Sequence, residues 1–197
     1  MRNGLKDLES NQRYTFVGKF TRLGYAEEYN DEDGYYYQPT ILFLDVHDDQ
    51  GHFITDHAWV HYTEPFVQLN ELKDGDLVGF SAQVRAYKKG AGINKVTDYE
   101  LIEIQDVVRK NNVDAQRAGV PSENKPLVGY VMERNRAFYE KAQRNIDEEY
   151  AQAYDQWLHP DDYSNATSYS DDGDDDQSGL DPELLAKLKQ FSDDNLK

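Results

Sequence analysis

The stretch TDHAWVHYTEPFVQLNELKDGDLVGFSAQVRAYKKG, residues 55–90, decides the fold. From Asp56 to Tyr62 the chain alternates as a strand with two unlike faces does: His57, Trp59 and His61 form one row, Ala58, Val60 and Tyr62 the other. Alternation fixes the two faces and leaves open which of them is buried. Pro65 suits the first turn of a helix with Thr63 or Glu64 as cap, and Phe66, Leu69 and Leu72 follow at helical spacing. Lys73-Asp74-Gly75-Asp76 is turn chemistry, because glycine supplies a positive φ that a side chain opposes. Val78, Phe80, Ala82, Val84 and Ala86 then alternate with Gly79, Ser81, Gln83, Arg85 and Tyr87. Two strands joined by a short helix are how a five-stranded Greek-key barrel closes its lower end.

Working outward, Arg13–Ala26 is a first strand in which Tyr14, Phe16 and Phe20 share a face and Gly18 marks a bend or bulge. Residues 27–38 (EEYNDEDGYYYQ) are polar and irregular, which predicts a long connection. Pro39–Asp49 is a second strand, with Pro39 tolerated only at its start. Asp49-Gln50-Gly51 turns into the third strand. Lys88–Val96 is a glycine-bearing basic hairpin loop, and a fifth strand runs from Thr97 with Tyr99, Leu101, Ile102 and Ile104.

Flanking segments complete the expected layout. Residues 1–12 are a loose arm or a short capping turn, 13–110 the barrel, and 111–126 a linker rich in turn formers. Leu127, Val131, Phe138, Ala142, Ile146, Tyr150, Ala153 and Trp157 recur at helical spacing, which predicts one long amphipathic helix over 127–159, with Glu140 and Arg144 paired on its polar side. At about 45 Å such a helix overhangs a small barrel, breaks, or supports self-association. Residues 160–197 form an acidic tail. Its first part has a disordered composition, and its end is a short helix with Leu184, Leu185, Leu188 and Phe191 on one side, suited to docking on a partner.

Composition narrows the function. The chain has no Cys, so thiolate metal sites and thiol nucleophiles are excluded. It reads as a cytoplasmic protein, with no apolar run that spans a bilayer and no membrane partner. The net charge is −17, of which −7 falls in residues 1–110 and −8 in residues 161–197. His57 and His61 on one strand lie ~13 Å apart, too far to chelate one ion. Asp56 and His57 are expected to point to opposite faces and make no dyad. No nucleophile elbow, phosphate loop or paired-carboxylate motif is present. These features point to a non-enzymatic chain with no cofactor and no metal site.

What remains is binding. Stacking on aromatic rings and ion pairing with phosphates hold single strands. Trp59 flanked by His57 and His61, with Arg85, Tyr87, Lys88, Lys89 and Lys95 on the fourth strand and its loop, supplies both residue types. If Trp59 is instead buried, Ala58, Val60 and Tyr62 face outward and this surface is lost.

Asp56-His57-Ala58-Trp59, Phe66, Leu72-Lys73-Asp74-Gly75-Asp76 and Phe80-Ser81-Ala82 together resemble uncharacterised small OB-fold-like proteins of phages and mobile elements of Gram-positive bacteria. The resemblance spans roughly residues 13–105; it implies the OB-like barrel and no particular activity. In layout, a barrel followed by an acidic tail is similar to bacterial single-stranded DNA-binding proteins, although this chain ends Asp-Asn-Leu-Lys and its barrel is itself acidic. The expectation is a module that binds single-stranded nucleic acid, DNA in the first instance, with a tail that recruits a partner. The alternatives are an acidic protein-interaction module that binds or inhibits a basic protein, or mimics nucleic acid, and a structural oligomer built on the 127–159 helix.

Overall fold

A computed structural model describes residues 4–32, 34–90 and 95–164. The proposed docking residues Leu184, Leu185, Leu188 and Phe191, and most of the acidic tail, lie outside the described residues. Five antiparallel strands form one sheet: β1 (Arg13–Asn30), β2 (Gly34–Asp48), β3 (Phe53–His61), β4 (Leu77–Lys89) and β5 (Val96–Arg109), in the order β3-β2-β1-β4-β5. The fold is thus mainly β. Between β3 and β4 sits α1 (Glu64–Val67), begun by Pro65 at an N-terminal position and preceded by Thr63 as N-cap residue.

β1 is central. Its residues 13–19 pair with β4, while 16–30 pair with β2. The ladder shifts register at Gly18 and again at Thr21, which bends the strand where it leaves one partner for the other. Phe16, Phe43, Phe66 and Phe80 meet in the interior with ring centroids 5.2–5.9 Å apart. Val78, Phe80, Ala82 and Val84 are buried as their alternation requires. Ala86 is exposed, because β4 continues past the core as a projecting hairpin with β5. Gly75 (φ +88°) makes the turn before β4.

Several boundaries differ from the sequence reading. Residues 27–38 are the far end of a β1–β2 hairpin, closed through Asp31-Glu32 and Gly34 (φ +75°). Their polarity reflects a two-stranded ribbon with much of its surface in solvent, and its tyrosines favour the extended backbone. In residues 1–12 the short turn, one of the two expected forms, is present at Leu5–Asp7 and buries Leu5. The 111–126 stretch is anchored to the sheet and its connections at points, with Val120, Pro121 and Pro126 buried and the Ala118 carbonyl accepting from the Glu71 N–H at 2.9 Å. The single long helix is replaced by α2 (Asn124–Arg134), α3 (Arg136–Lys141), α4 (Glu148–Leu158) and, next along the chain, α5 (Pro160–Ser164).

The break has a packing cause. Gln143 takes φ +52°, and the chain turns so that Arg144 lays its guanidinium 4.3 Å from the Tyr25 ring centroid and 5.1 Å from that of Tyr139. Arg144 therefore serves these rings and the Tyr25 carbonyl, while Arg136 is the residue that pairs with Glu140. After the turn α4 packs back on α2. At the crossing, a Cβ on Gly129 would lie 2.0 Å from the Tyr150 carbonyl oxygen, so only glycine permits this approach. Among the described residues no helix is long and apolar enough to cross a membrane.

Tyr25, Tyr37, Tyr139 and Tyr150 form an edge-to-face chain that joins the hairpin to the helices. Burial pushes the Tyr139 hydroxyl up to about 12, and burial likewise raises Tyr25, Tyr62, Tyr130 and Tyr154. A raised acid stabilises the fold fully below its unfolded pKa of about 10, and that stability is lost as pH rises through the folded value. We expect the thermal midpoint to hold up to about pH 10 and then to fall, with tyrosinate absorbance rising together with unfolding. Tyrosinate appearing throughout at the ordinary pKa in a still-folded protein would contradict this packing.

Candidate nucleic-acid interface

On β3, Ala58 and Val60 are buried, as is Tyr62 just beyond it, and His57, Trp59 and His61 face outward. Of the two ways to bury this strand, the one that leaves Trp59 on the outer face holds. Cross-strand pairing places Arg22, Leu42 and Trp59 in one row and Gly24, Thr40 and His61 in the next. The indole lies across the sheet over Gly24; a Cβ there would come 2.8 Å from Trp59 Cζ3. The Arg22 guanidinium is 5.4 Å from the Trp59 ring centroid and 4.9 Å from that of Phe138 on α3, within the range of cation–π attraction. Trp59 is thus a half-buried plate, braced by the sheet at Gly24 and with the Arg22 guanidinium over part of its ring.

An open cleft of about 580 Å³ begins at Trp59. Trp59 and His61 of β3 line one side. Arg85 and Tyr87 of β4, with Ile102 and Ile104 of β5, line the other. Thr40 adds a hydroxyl, and Glu64, Glu100 and Glu103 add carboxylates. The sheet's two edge strands therefore share one cavity, where a planar apolar ligand meets an indole, two isoleucines and several hydrogen-bonding groups.

Of the residues singled out from sequence, Trp59, His61, Arg85 and Tyr87 come together here; His57, Lys88, Lys89 and Lys95 do not line the cleft. The basic cluster is also largely compensated. Antiparallel register sets Arg85 opposite Glu100 and Tyr87 opposite Asp98. Arg85 Nε donates to Glu100 at 2.8 Å, Tyr87 Oη to Asp98 at 3.1 Å, and Lys89 Nζ lies 3.7 Å from Asp98. Lys88 Nζ donates to the Thr97 hydroxyl at 2.6 Å, and Lys95 is exposed. The histidines serve different carboxylates: His61 is 3.4 Å from Glu28, and His57 Nδ1 is 2.9 Å from Asp56. The last contact corrects the expectation that these neighbours diverge; two exposed side chains at a strand surface curl toward each other.

Sequence reasoning missed Arg22, Gly24 and Phe138, which frame Trp59 from β1 and α3. Glycine in a strand interior was the one available signal, since it marks close approach by another group. The pairing of Arg85 with Glu100 was recoverable by counting back from the 88–97 hairpin. No protein-family model, curated protein or solved structure matches this chain.

Proposed function

We propose that this chain is a non-enzymatic, OB-type module that binds single-stranded nucleic acid across Trp59 and the cleft beside it. The strand order β3-β2-β1-β4-β5, with a short helix between β3 and β4, supports the Greek-key barrel assignment. The observation that carries the binding reading is the Trp59 indole, held on the outer face against Gly24, in cation–π contact with Arg22 and at the mouth of a cleft. A base stacks on such a plate without needing a particular sequence, for ~1–3 kcal/mol. The acidic tail with Leu184, Leu185, Leu188 and Phe191 completes the proposal as the part that recruits a partner protein.

Ion pairing within the protein changes how such binding responds to salt. With Arg85 and Lys89 held by Glu100 and Asp98, Arg22 is the cation placed to meet a phosphate beside the stacked base. The slope of log affinity against log salt is therefore shallow, ~0.7 per phosphate contact for one or two contacts. Trp59→Ala is expected to weaken binding by ~1–3 kcal/mol with little change of slope, because stacking releases no counterions. Arg22→Ala flattens the slope. Filter binding across a salt series reads both.

A specific feature favours the second reading, an acidic module for a basic protein. Between Arg22 and Lys73 the chain has no Lys or Arg and eleven Asp or Glu. This stretch includes the hairpin tip with Tyr29 and Tyr35 exposed. If nucleic acid does not bind at low salt, that surface is the one to challenge with basic proteins.

A further inference from the structure

Arg109, at the end of β5, and Arg117, in the segment that follows, both converge on Asp76. The Arg117 Nη2 lies 2.8 Å from Asp76 Oδ1, and the Arg109 Nε 3.7 Å from Oδ2. All three side chains are buried, with 9% of Arg109, 6% of Arg117 and 1% of Asp76 exposed. Asp76 is fully engaged, since Oδ2 also accepts the Lys73 N–H at 2.9 Å. Arg109 Nη2 is used by the Leu69 carbonyl at 2.5 Å. Three donors of the pair, Arg109 Nε and Arg117 Nε and Nη1, have no hydrogen-bond acceptor.

Two guanidiniums thus share one carboxylate, leaving a surplus positive charge out of water. Neighbouring Glu71 does not cancel it, because its carboxylate faces Lys73 and Arg134. Burying an uncompensated charge is costly, and guanidinium N–H groups match oxyanions in both charge and geometry. Both arginines line an open cavity of about 530 Å³, rimmed by Gln68, Asn70, Val108 and Gln116. It lies apart from the Trp59 cleft, and the two share no lining residue.

We infer that this cavity is a phosphate-type oxyanion site, with Arg109 and Arg117 as its cationic floor and the amides of Gln68, Asn70 and Gln116 at its rim. The phosphate is either a free ion or a backbone group of a bound strand. The assignment does not depend on strand binding.

The test is titration of the full-length protein with inorganic phosphate, ionic strength being held constant with chloride. Two readouts apply: the thermal midpoint, and the ¹H–¹⁵N signals of the arginine Nε–H groups. The expected result is a midpoint rise of about 3–6 °C at phosphate tenfold above its dissociation constant, with the Arg109 and Arg117 Nε–H signals shifting on the same curve. Gln116→Glu, at an exposed rim position, adds repulsion without disturbing the buried pairs, and is expected to weaken the phosphate response about tenfold. Oligothymidylate then separates the sources. Competition between it and phosphate, with weaker strand binding in Gln116→Glu, identifies a backbone phosphate; no competition identifies a free oxyanion. A midpoint that follows ionic strength alone, or arginine Nε–H signals indifferent to phosphate, would overturn the assignment. The wild-type titration decides this without any substitution of the arginines.

Discussion

Asp76→Ala is expected to lower the free energy of unfolding by about 3–5 kcal/mol, the usual cost of removing one partner from a buried ion pair. The side chain is 1% exposed and is the counterion shared by two arginines whose side chains are themselves buried. Without it, Arg109 and Arg117 remain in the interior with no counterion, and the Lys73 N–H loses its acceptor. The loss extends along the chain. Arg117 ties the 111–120 segment to the turn before β4, and Arg109 anchors the end of β5 to the Leu69 carbonyl beyond α1. Adding Arg117→Met to Asp76→Ala removes one stranded charge and should recover part of the loss, a coupling that a double-mutant cycle measures. Urea denaturation of the four proteins checks it. A single-mutant cost below about 1 kcal/mol, the level of an exposed pair, would mean that the network is solvated.

Phe80→Ala is expected to cost about 3–5 kcal/mol. Phe80 contacts Phe16, Phe43 and Phe66, so truncation leaves a cavity walled by three rings that cannot collapse inward together. Its neighbour on the strand gives the control. Ser81 looks silent from sequence, yet it is buried and its hydroxyl donates to Asp106 at 2.9 Å and accepts from Arg13 at 3.3 Å. Ser81→Ala should therefore cost about 1 kcal/mol, one net hydrogen bond. Equal losses at the two positions would contradict the faces assigned to β4.

The parts of the fold that were legible in the sequence are those where burial on one face forces alternation. Ala58-Val60-Tyr62 and Val78-Phe80-Ala82-Val84 are such rows, and Gly75 and the 49–51 turn follow from local backbone chemistry. The β1–β2 hairpin tip was illegible because a ribbon in solvent carries polar residues on both faces, which reads as a loop. The Leu127–Trp157 stripe misled for the opposite reason. Short helices packed on one another keep helical spacing in each piece, and the break at Gln143 depends on Arg144 finding tyrosines from β1 and α3. The same limit applies to the site. Trp59 and its exposed face could be read as one of two choices, but Arg22 and Phe138 reach it only through tertiary structure. The lysine-rich hairpin read as an open basic patch until strand register placed Asp98 and Glu100 across from it.

On the proposed function, Trp59 stacks on a base. The chain has two tryptophans, Trp59 and Trp157, and Trp157 lies on α4, so Trp157→Phe leaves Trp59 as the sole indole reporter. Oligothymidylate is titrated into this variant at low salt while indole emission is followed. The expected result is saturable quenching of Trp59, with an affinity that falls by ~1–3 kcal/mol when Trp59 is replaced by Ala in the wild-type background. Emission that stays constant at low salt, with no strand retained on the protein, would rule out stacking at Trp59.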